Sequence, residues 1–200
     1  MNTQYWDAVK ARRSYYAISK EQVTTDKRIE EIVGEAVKHV PSSFNSQSAR
    51  VTILLGAQHD RLWDITKAEL KKIVPPQNFQ ATEDKINSSF RSGYGSLLFF
   101  EDTNVIEGLQ QKFPAYKDNF PVWSNHSSGM LQFVLWTALE LEGWGVSLQH
   151  YNPVIDEPVK AEWQIPVNWR LIAQMPFGKP VAEPGPKEFQ PLDERVKLFK

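Results

Sequence analysis

Between residues 124 and 142 the chain has almost no polar face: Met130, Leu131, Phe133, Val134, Leu135, Trp136, Ala138, Leu139 and Leu141 surround any helix drawn through them. A helix that is apolar all round is a buried one, so this stretch predicts the central helix of the domain or of an interface. Gly143 suits its end, where a left-handed residue closes the last turn. At 1.5 Å per residue the helix reaches about 28 Å. The radius of gyration expected for 200 residues is about 16 Å. The helix therefore crosses most of the molecule, and the other elements must fold around it.

Residues 26–40 carry the clearest amphipathic stripe, with Ile29, Ile32, Val33, Ala36, Val37 and Val40 recurring at helical spacing. Thr25 or Asp26 can cap its start, and Pro41 ends it. Another helix is expected after Asp60, with Leu62, Ile65, Leu70 and Ile73 facing inward and Pro75-Pro76 stopping it. Shorter helical turns are expected around 84–90 and 105–113. Short apolar runs at 51–55, 96–101, 146–151 and 170–177 read as strands. Helices lying between strands predict an α/β or α+β layered domain. From Gly178 onward, Pro180, Pro184, Pro186 and Pro191 rule out a helix or a central strand, so the tail must lie extended across its own surface or a partner's. The whole chain, 1–200, reads as one domain with 178–200 as that tail.

Composition removes several functions. Lys plus Arg number 23 against 24 for Asp plus Glu, a net charge of −1, which lacks the basic excess of a nucleic-acid binder. With no cysteine there are no disulfides, no thiolate zinc ligands and no cysteine nucleophile, which fits a reducing compartment. No apolar run approaches the roughly 20 residues that span a bilayer. Met1, Asn2, Thr3 and Gln4 have neither the basic start nor the apolar core of a secretory signal, so a cytoplasmic location is expected. A dinucleotide fingerprint, a phosphate loop, zinc-ligand spacing among His39, His59, His126 and His150, and a Gly-x-Ser-x-Gly elbow are all missing. No metal is expected. The surplus is in rings: 11 Phe, 7 Trp and 6 Tyr.

Two polar clusters remain. Arg12-Arg13-Ser14 could clamp a phosphate, because a guanidinium presents a planar fork of donors matched to phosphate oxygens. Basic residues that merely complement the negative end of a helix are the alternative. Pro41-Ser42-Ser43-Phe44-Asn45-Ser46-Gln47-Ser48 is dense in hydroxyls and amides, and amides both donate and accept, so they can read a ring edge of mixed carbonyls and N–H groups. A polar turn with a cap is the other reading.

At this spacing the two clusters together resemble the flavin-binding opening of the nitroreductase family. Trp123-Ser124-Asn125-His126-Ser127, Leu148-Gln149-His150-Tyr151-Asn152-Pro153 and Phe177-Gly178-Lys179-Pro180 resemble its short, fatty-acid-repression-mutant branch, and the likeness covers nearly the whole chain. The resemblance implies an α+β fold of three layers, with a central mixed, mainly antiparallel sheet flanked by helices. It also implies a homodimer with exchanged C-terminal tails and two non-covalent FMN sites at the interface. Arg12 and Ser14 match residues on the phosphate and ribityl chain, with Arg13 adjacent. Ser42, Ser43, Asn45 and Gln47 match a loop reaching the flavin from the other subunit. Lys187 matches a basic residue that neutralises the phosphate. Tyr16 and Phe189 stand where many members carry basic residues. His150-Tyr151-Asn152-Pro153 replaces the usual Pro-x-Glu-Gly, which would put Gln149 and His150 beside the ring; a strand histidine bonded to a neighbouring carbonyl is the plain alternative for His150.

The activity implied is electron transfer from NADH or NADPH through FMN to small nitroaromatic or quinone acceptors, in a ping-pong cycle with no dedicated catalytic side chain and no nucleic-acid or membrane partner. The ring-rich stretch 113–123 reads as a wall or lid for stacked acceptors, or as a structural loop packed by its own aromatics. A non-catalytic flavin-binding protein in lipid or redox signalling, and an interaction module whose polar clusters are caps only, are the competing readings.

Overall fold

The computed structural model describes residues 3–200; Met1 and Asn2, part of the opening read for a leader, lie outside the described residues. Helix α1 (Thr3–Ala11) leads into a short strand β1 (Ile18–Ser19), then α2 (Asp26–His39), β2 (Ala49–Leu55), α3 (Ala57–Lys71) and α4 (Pro76–Ile86). Strand β3 (Gly95–Asp102), α5 (Thr103–Lys112), α6 (Phe120–Leu141), β4 (Gly145–Val146), α7 (Asp156–Glu162), β5 (Trp169–Pro180) and a one-turn α8 (Leu192–Arg195) complete the chain.

The sheet runs β1-β5-β3-β2, with β4 also on β5. Every pairing among the described residues is antiparallel. Along β3 the side chains alternate between two cores because helices cover both faces. Leu97 and Phe99, with Ala173, Met175 and Phe177 of β5, pack under Ile29, Val33 and Ala36 of α2 and Leu131, Leu135 and Leu139 of α6. Leu98, Phe100 and Leu171 face the opposite way, onto Leu62 and Trp63 of α3, Ile86 of α4 and Val159 of α7. Helix, sheet, helix: the fold is α+β in three layers.

Helix α2 starts as its stripe predicts, with Thr25 Oγ1 accepting from the Arg28 N–H at 3.2 Å. Other expectations need correction. Helix α3 starts at Ala57, before Asp60, because Gly56 (φ +54°) can turn the chain into it. Ile73 lies past its end and is 62% exposed, so it does not face inward. Pro76 stops nothing; it opens α4, where proline's missing N–H costs no bond. The turn expected at 84–90 is the end of α4 running into a π-turn over Asn87–Arg91. The strand expected at 146–151 shrinks to Gly145–Val146 plus one bridge, Gln149 to Gln174. Gly178–Lys179–Pro180 belongs to β5, so the free tail starts later than Gly178.

The central helix differs most. α6 buries Leu131, Leu135 and Leu139 together with Ser124, Ser127, Ser128 and Gln132, while Met130 (42%), Val134 (39%) and Leu141 are exposed. Ser124 and Ser127 donate to carbonyls of their own helix, Ser128 meets Gln132, and part of the apolar surplus faces outward. Beyond Pro180, Phe189, Leu192, Val196, Leu198 and Phe199 are exposed too. No helix of the described residues is long and apolar enough to cross a membrane.

Candidate functional site

Arg12-Arg13-Ser14 forms the turn that leaves α1, where the Arg12 N–H still donates to Ala8 O at 3.1 Å. The turn is held by α6. Glu140 Oε2 accepts from the Arg13 N–H at 2.9 Å, and the Trp136 indole N–H donates to Arg13 O at 3.2 Å and to Glu140 Oε1 at 2.8 Å. The Arg12 guanidinium lies 4.5 Å over the Trp136 ring. Burial pushes the Glu140 carboxyl up to about 7, against the pull of the Arg13 N–H, the Trp136 N–H and the two guanidinium charges. Arg13 also donates from its guanidinium to Gly185 O, and the Tyr15 hydroxyl donates to Glu183 at 3.1 Å. The tail thus lies along the turn, and the two enclose a cavity of about 400 Å³ lined by residues 13–17 and 182–186. Lys187 is exposed one residue beyond that lining, its ammonium 5.4 Å over the Phe189 ring.

The Tyr15 N–H donates to Val146 O at 2.9 Å, which joins the turn to β4 and the segment after it. There the Gln149 main chain is bonded both ways to Gln174, at 2.7 and 2.9 Å, and its amide donates to Ser147 at 3.1 Å. The buried Gln174 amide also accepts from the Tyr151 N–H at 2.8 Å and donates to Asn152 at 3.1 Å. Tyr16, 47% exposed, and Tyr151 both face the Phe90 ring, at 6.4 and 6.2 Å. His150 is exposed beyond the last bridge and is not a strand residue. Arg12, Arg13, Ser14, Tyr16, Gln149 and His150, with Lys187 on the tail, therefore sit on connected segments.

The second cluster lies elsewhere. Ser42 Oγ accepts from the Gln47 N–H at 2.9 Å and closes a loop containing a 3-10 turn over Ser43–Asn45. Ser42 thus serves the turn, as the plainer reading of this motif has it. Phe44 (φ +56°), Asn45 (+49°) and Gln47 (+51°) all adopt left-handed backbone, which costs energy for any residue with a β-carbon. Two devices hold the loop in that shape. The Phe44 ring packs 4.9 Å from Phe113, 5.4 Å from Phe120 and stacks on Trp123 at 6.2 Å. Ser48 is tied to Glu101 at 2.6 Å, and Arg50 bonds Gln47 O at 2.7 Å while pairing with Asp102 at 2.9 Å. Burial raises the Glu101 carboxyl, although Ser48 and the charges of Arg170 and Arg50 oppose it. Ser42 and Gln47 open onto a cavity of about 550 Å³ between α2, β2 and α6, which includes Ser127 and Leu131.

Neither cavity holds residues of both clusters. Along α6, Ser127, which lines the larger cavity, and Trp136, which holds the Arg12-Arg13 turn, are about 14 Å apart at 1.5 Å per residue. One chain therefore presents two separated polar clusters. The ring-rich stretch 113–123 is packed by its own aromatics and also by Phe44, which places a 52% exposed ring beside Asn45. Sequence reasoning missed Trp136, Glu140, Glu101 and the role of Phe44. Only the i, i+4 spacing of Trp136 and Glu140 gave a signal, and it marks a shared helix face without saying what packs there.

Among the described residues no three His, Cys, Asp or Glu side chains group as metal ligands.

The model of the Nitroreductase family matches residues 9–179, a span that includes both clusters and stops short of Lys187. HBN1 of Saccharomyces cerevisiae is 38% identical over 199 residues, covering 98% of this chain and 96% of its own. Nitroreductase FRM2 of the same yeast is 33% identical over 187 residues, covering 92% of each chain. Among solved structures, nitroreductase CinD from Lactococcus lactis, in complex with nicotinic acid, superposes with a TM-score of 0.90 at 40% identity, covering 98% of this chain and all of its own; it has also been solved with chloramphenicol and with 4-nitrophenol. With the family's model matched over residues 9–179, and relatives similar over nearly its full length, the chain belongs to the Nitroreductase family of oxidoreductases.

Proposed function

We propose that the protein is an FMN-dependent oxidoreductase that passes electrons from NADH or NADPH to nitroaromatic or quinone-type acceptors in a ping-pong cycle, as a homodimer. The observation that carries this reading is the division of one chain into a guanidinium-rich half-site and an amide-rich half-site. A phosphorylated flavin needs both kinds of donor, and a two-fold mate can bring the second half to the first.

The donor set fits the group. Arg12, Arg13 and Ser14 offer charged and hydroxyl donors suited to the phosphate and ribityl chain, and Lys187 adds a charge from the tail. Ser43, Asn45 and Gln47 of the partner would meet the ring edge, with Ser42 closing their loop. Tyr16, Gln149 and His150 would line the ring's other side. FMN, when bound, supplies the two-electron chemistry. The chain's own residues bind and orient it: the left-handed backbone at Asn45 and Gln47 is held in advance of binding, and donors fixed at the ring edge favour the negative charge that develops on reduction. Flat acceptors can stack beside Phe44 and Trp123, as ring faces favour. The complexes of CinD with chloramphenicol and 4-nitrophenol support acceptors of this kind.

The exposed apolar residues of α6 and of the tail supply a surface for the dimer, with the whole chain acting as one flavin-binding domain and the tail beyond Lys187, which leaves the chain's own turn, reaching the mate. The test is turnover. FMN-loaded protein should consume NADH or NADPH steadily when a quinone or a nitroaromatic is added. Absence of consumption with either reductant, by a protein that holds FMN, would refute the catalytic reading.

A further inference from the structure

We propose that Trp136 and Glu140 are the positioning residues of the phosphate half-site, a clasp on α6 that sets the Arg12-Arg13-Ser14 turn for a phosphate; the inference rests on the FMN reading above. The two residues are one helical turn apart and share a face. Their three polar contacts grip both main-chain groups of Arg13: its N–H donates to Glu140 Oε2, and its carbonyl accepts from the Trp136 N–H. The same indole N–H donates to Glu140 Oε1, so the clasp is closed on itself. The third element is the ring face. The Arg12 guanidinium carbon lies 4.5 Å from the centre of the Trp136 ring, a cation–π contact that holds the group at the turn while its N–H donors can meet oxygens.

The chemistry explains the choice of residues. A carboxylate offers a separate acceptor oxygen to each of two N–H donors, Oε2 to Arg13 and Oε1 to Trp136; an amide at the same place would turn its NH2 toward one of those donors. Of the ring side chains, only tryptophan combines a large face for a guanidinium with an N–H for a carbonyl. Neither residue needs to touch the flavin. They act through the turn, so their loss should be felt where the phosphate is bound and hardly at all at the ring.

Riboflavin, which lacks the phosphate, separates these effects. Full-length apoprotein is titrated with FMN and with riboflavin, for wild type and for Glu140→Leu, Glu140→Gln, Trp136→Leu and Trp136→Phe. Wild type should prefer FMN by tenfold or more, roughly the worth of a charged hydrogen bond. Glu140→Leu and Trp136→Leu should cut that preference by about tenfold while riboflavin affinity changes by less than about twofold. Glu140→Gln and Trp136→Phe, which each keep part of the clasp, should fall between, and they decide the matter if the leucine variants do not fold. An FMN preference unchanged in the variants, or equal losses for both flavins, would overturn the clasp while leaving the FMN reading intact. A wild type that binds neither flavin, or both equally, would overturn the FMN phosphate reading itself.

Discussion

The Ser48 hydroxyl donates a 2.6 Å hydrogen bond to the buried carboxyl of Glu101, tying the end of the amide loop to the interior strand β3 of the central sheet. Glu101 Oε1 has no hydrogen-bond partner among the described residues, and burial raises its pKa. The bond therefore matters more than the charge. Ser48→Ala should cost about 1–2 kcal/mol of stability, the scale of a hydrogen bond lost in the interior. Glu101→Gln, which keeps an acceptor for Ser48, should cost less. Urea unfolding of the two variants checks the order, and a larger loss for Glu101→Gln would show that the charge itself is needed.

Arg12→Ala should weaken FMN binding by about 1.5–3 kcal/mol, the range for a hydrogen bond to a charged group. Fluorescence titration measures it. Unchanged affinity would remove Arg12 from the phosphate site.

Asn45→Ala should lower flavin affinity or shift the flavin's reduction potential. Because Asn45 sits at φ +49°, alanine also adds backbone strain, and Asn45→Gly serves as the control that lacks it. If Asn45→Gly matches wild type in both affinity and potential, the side chain makes no contact with the ring.

Stability at acid pH should depend on His59. Its ring is fully buried, with Nδ1 2.9 Å from Ser96 Oγ, and burial lowers its pKa from 6.5 to about 4. The unfolded chain takes up a proton near 6.5 while the folded chain resists until about 4, so His59 costs stability as pH falls through that window. Glu140 runs the other way. Its folded pKa is raised to about 7, so the stability it contributes is present below about 4.5 and is lost as pH rises through 7. His59→Leu should flatten the acid limb of the stability profile. Equal slopes in wild type and variant between pH 6.5 and 4 would contradict this.

Deleting residues 182–200 should disrupt the dimer and release FMN together, with the cut placed to spare β5, which ends at Pro180. Sedimentation and the visible spectrum follow both. A truncated protein that remained a yellow dimer would place neither function in the tail.

The parts of the fold legible in the sequence are those with local causes. Ile29, Ile32, Val33 and Ala36 mark one helix face by spacing alone, and the runs at 51–55, 96–101 and 170–177 are apolar because helices cover both sides of the sheet. α6 was legible only in part. Composition shows that Met130, Val134 and Leu141 are apolar, but it does not say which face of the helix is buried; that face carries Ser124, Ser127 and Ser128 beside Leu131, Leu135 and Leu139, and its first part looks polar in the sequence. The two polar clusters were visible as chemistry, whereas what holds them was not. Arg13 meets Trp136 and Glu140 from more than a hundred residues away, and Ser48 meets Glu101 on β3 from 53 residues away. Such pairs leave no periodicity to read. The left-handed backbone at Phe44, Asn45 and Gln47 was equally hidden, since none of the three is glycine.

The most direct test is the visible spectrum of the purified full-length protein, with any released cofactor identified by mass. We expect oxidised-flavin absorbance bands and the mass of FMN, in near-stoichiometric amount. A colourless protein that stays colourless after FMN is added and excess ligand removed would contradict the account.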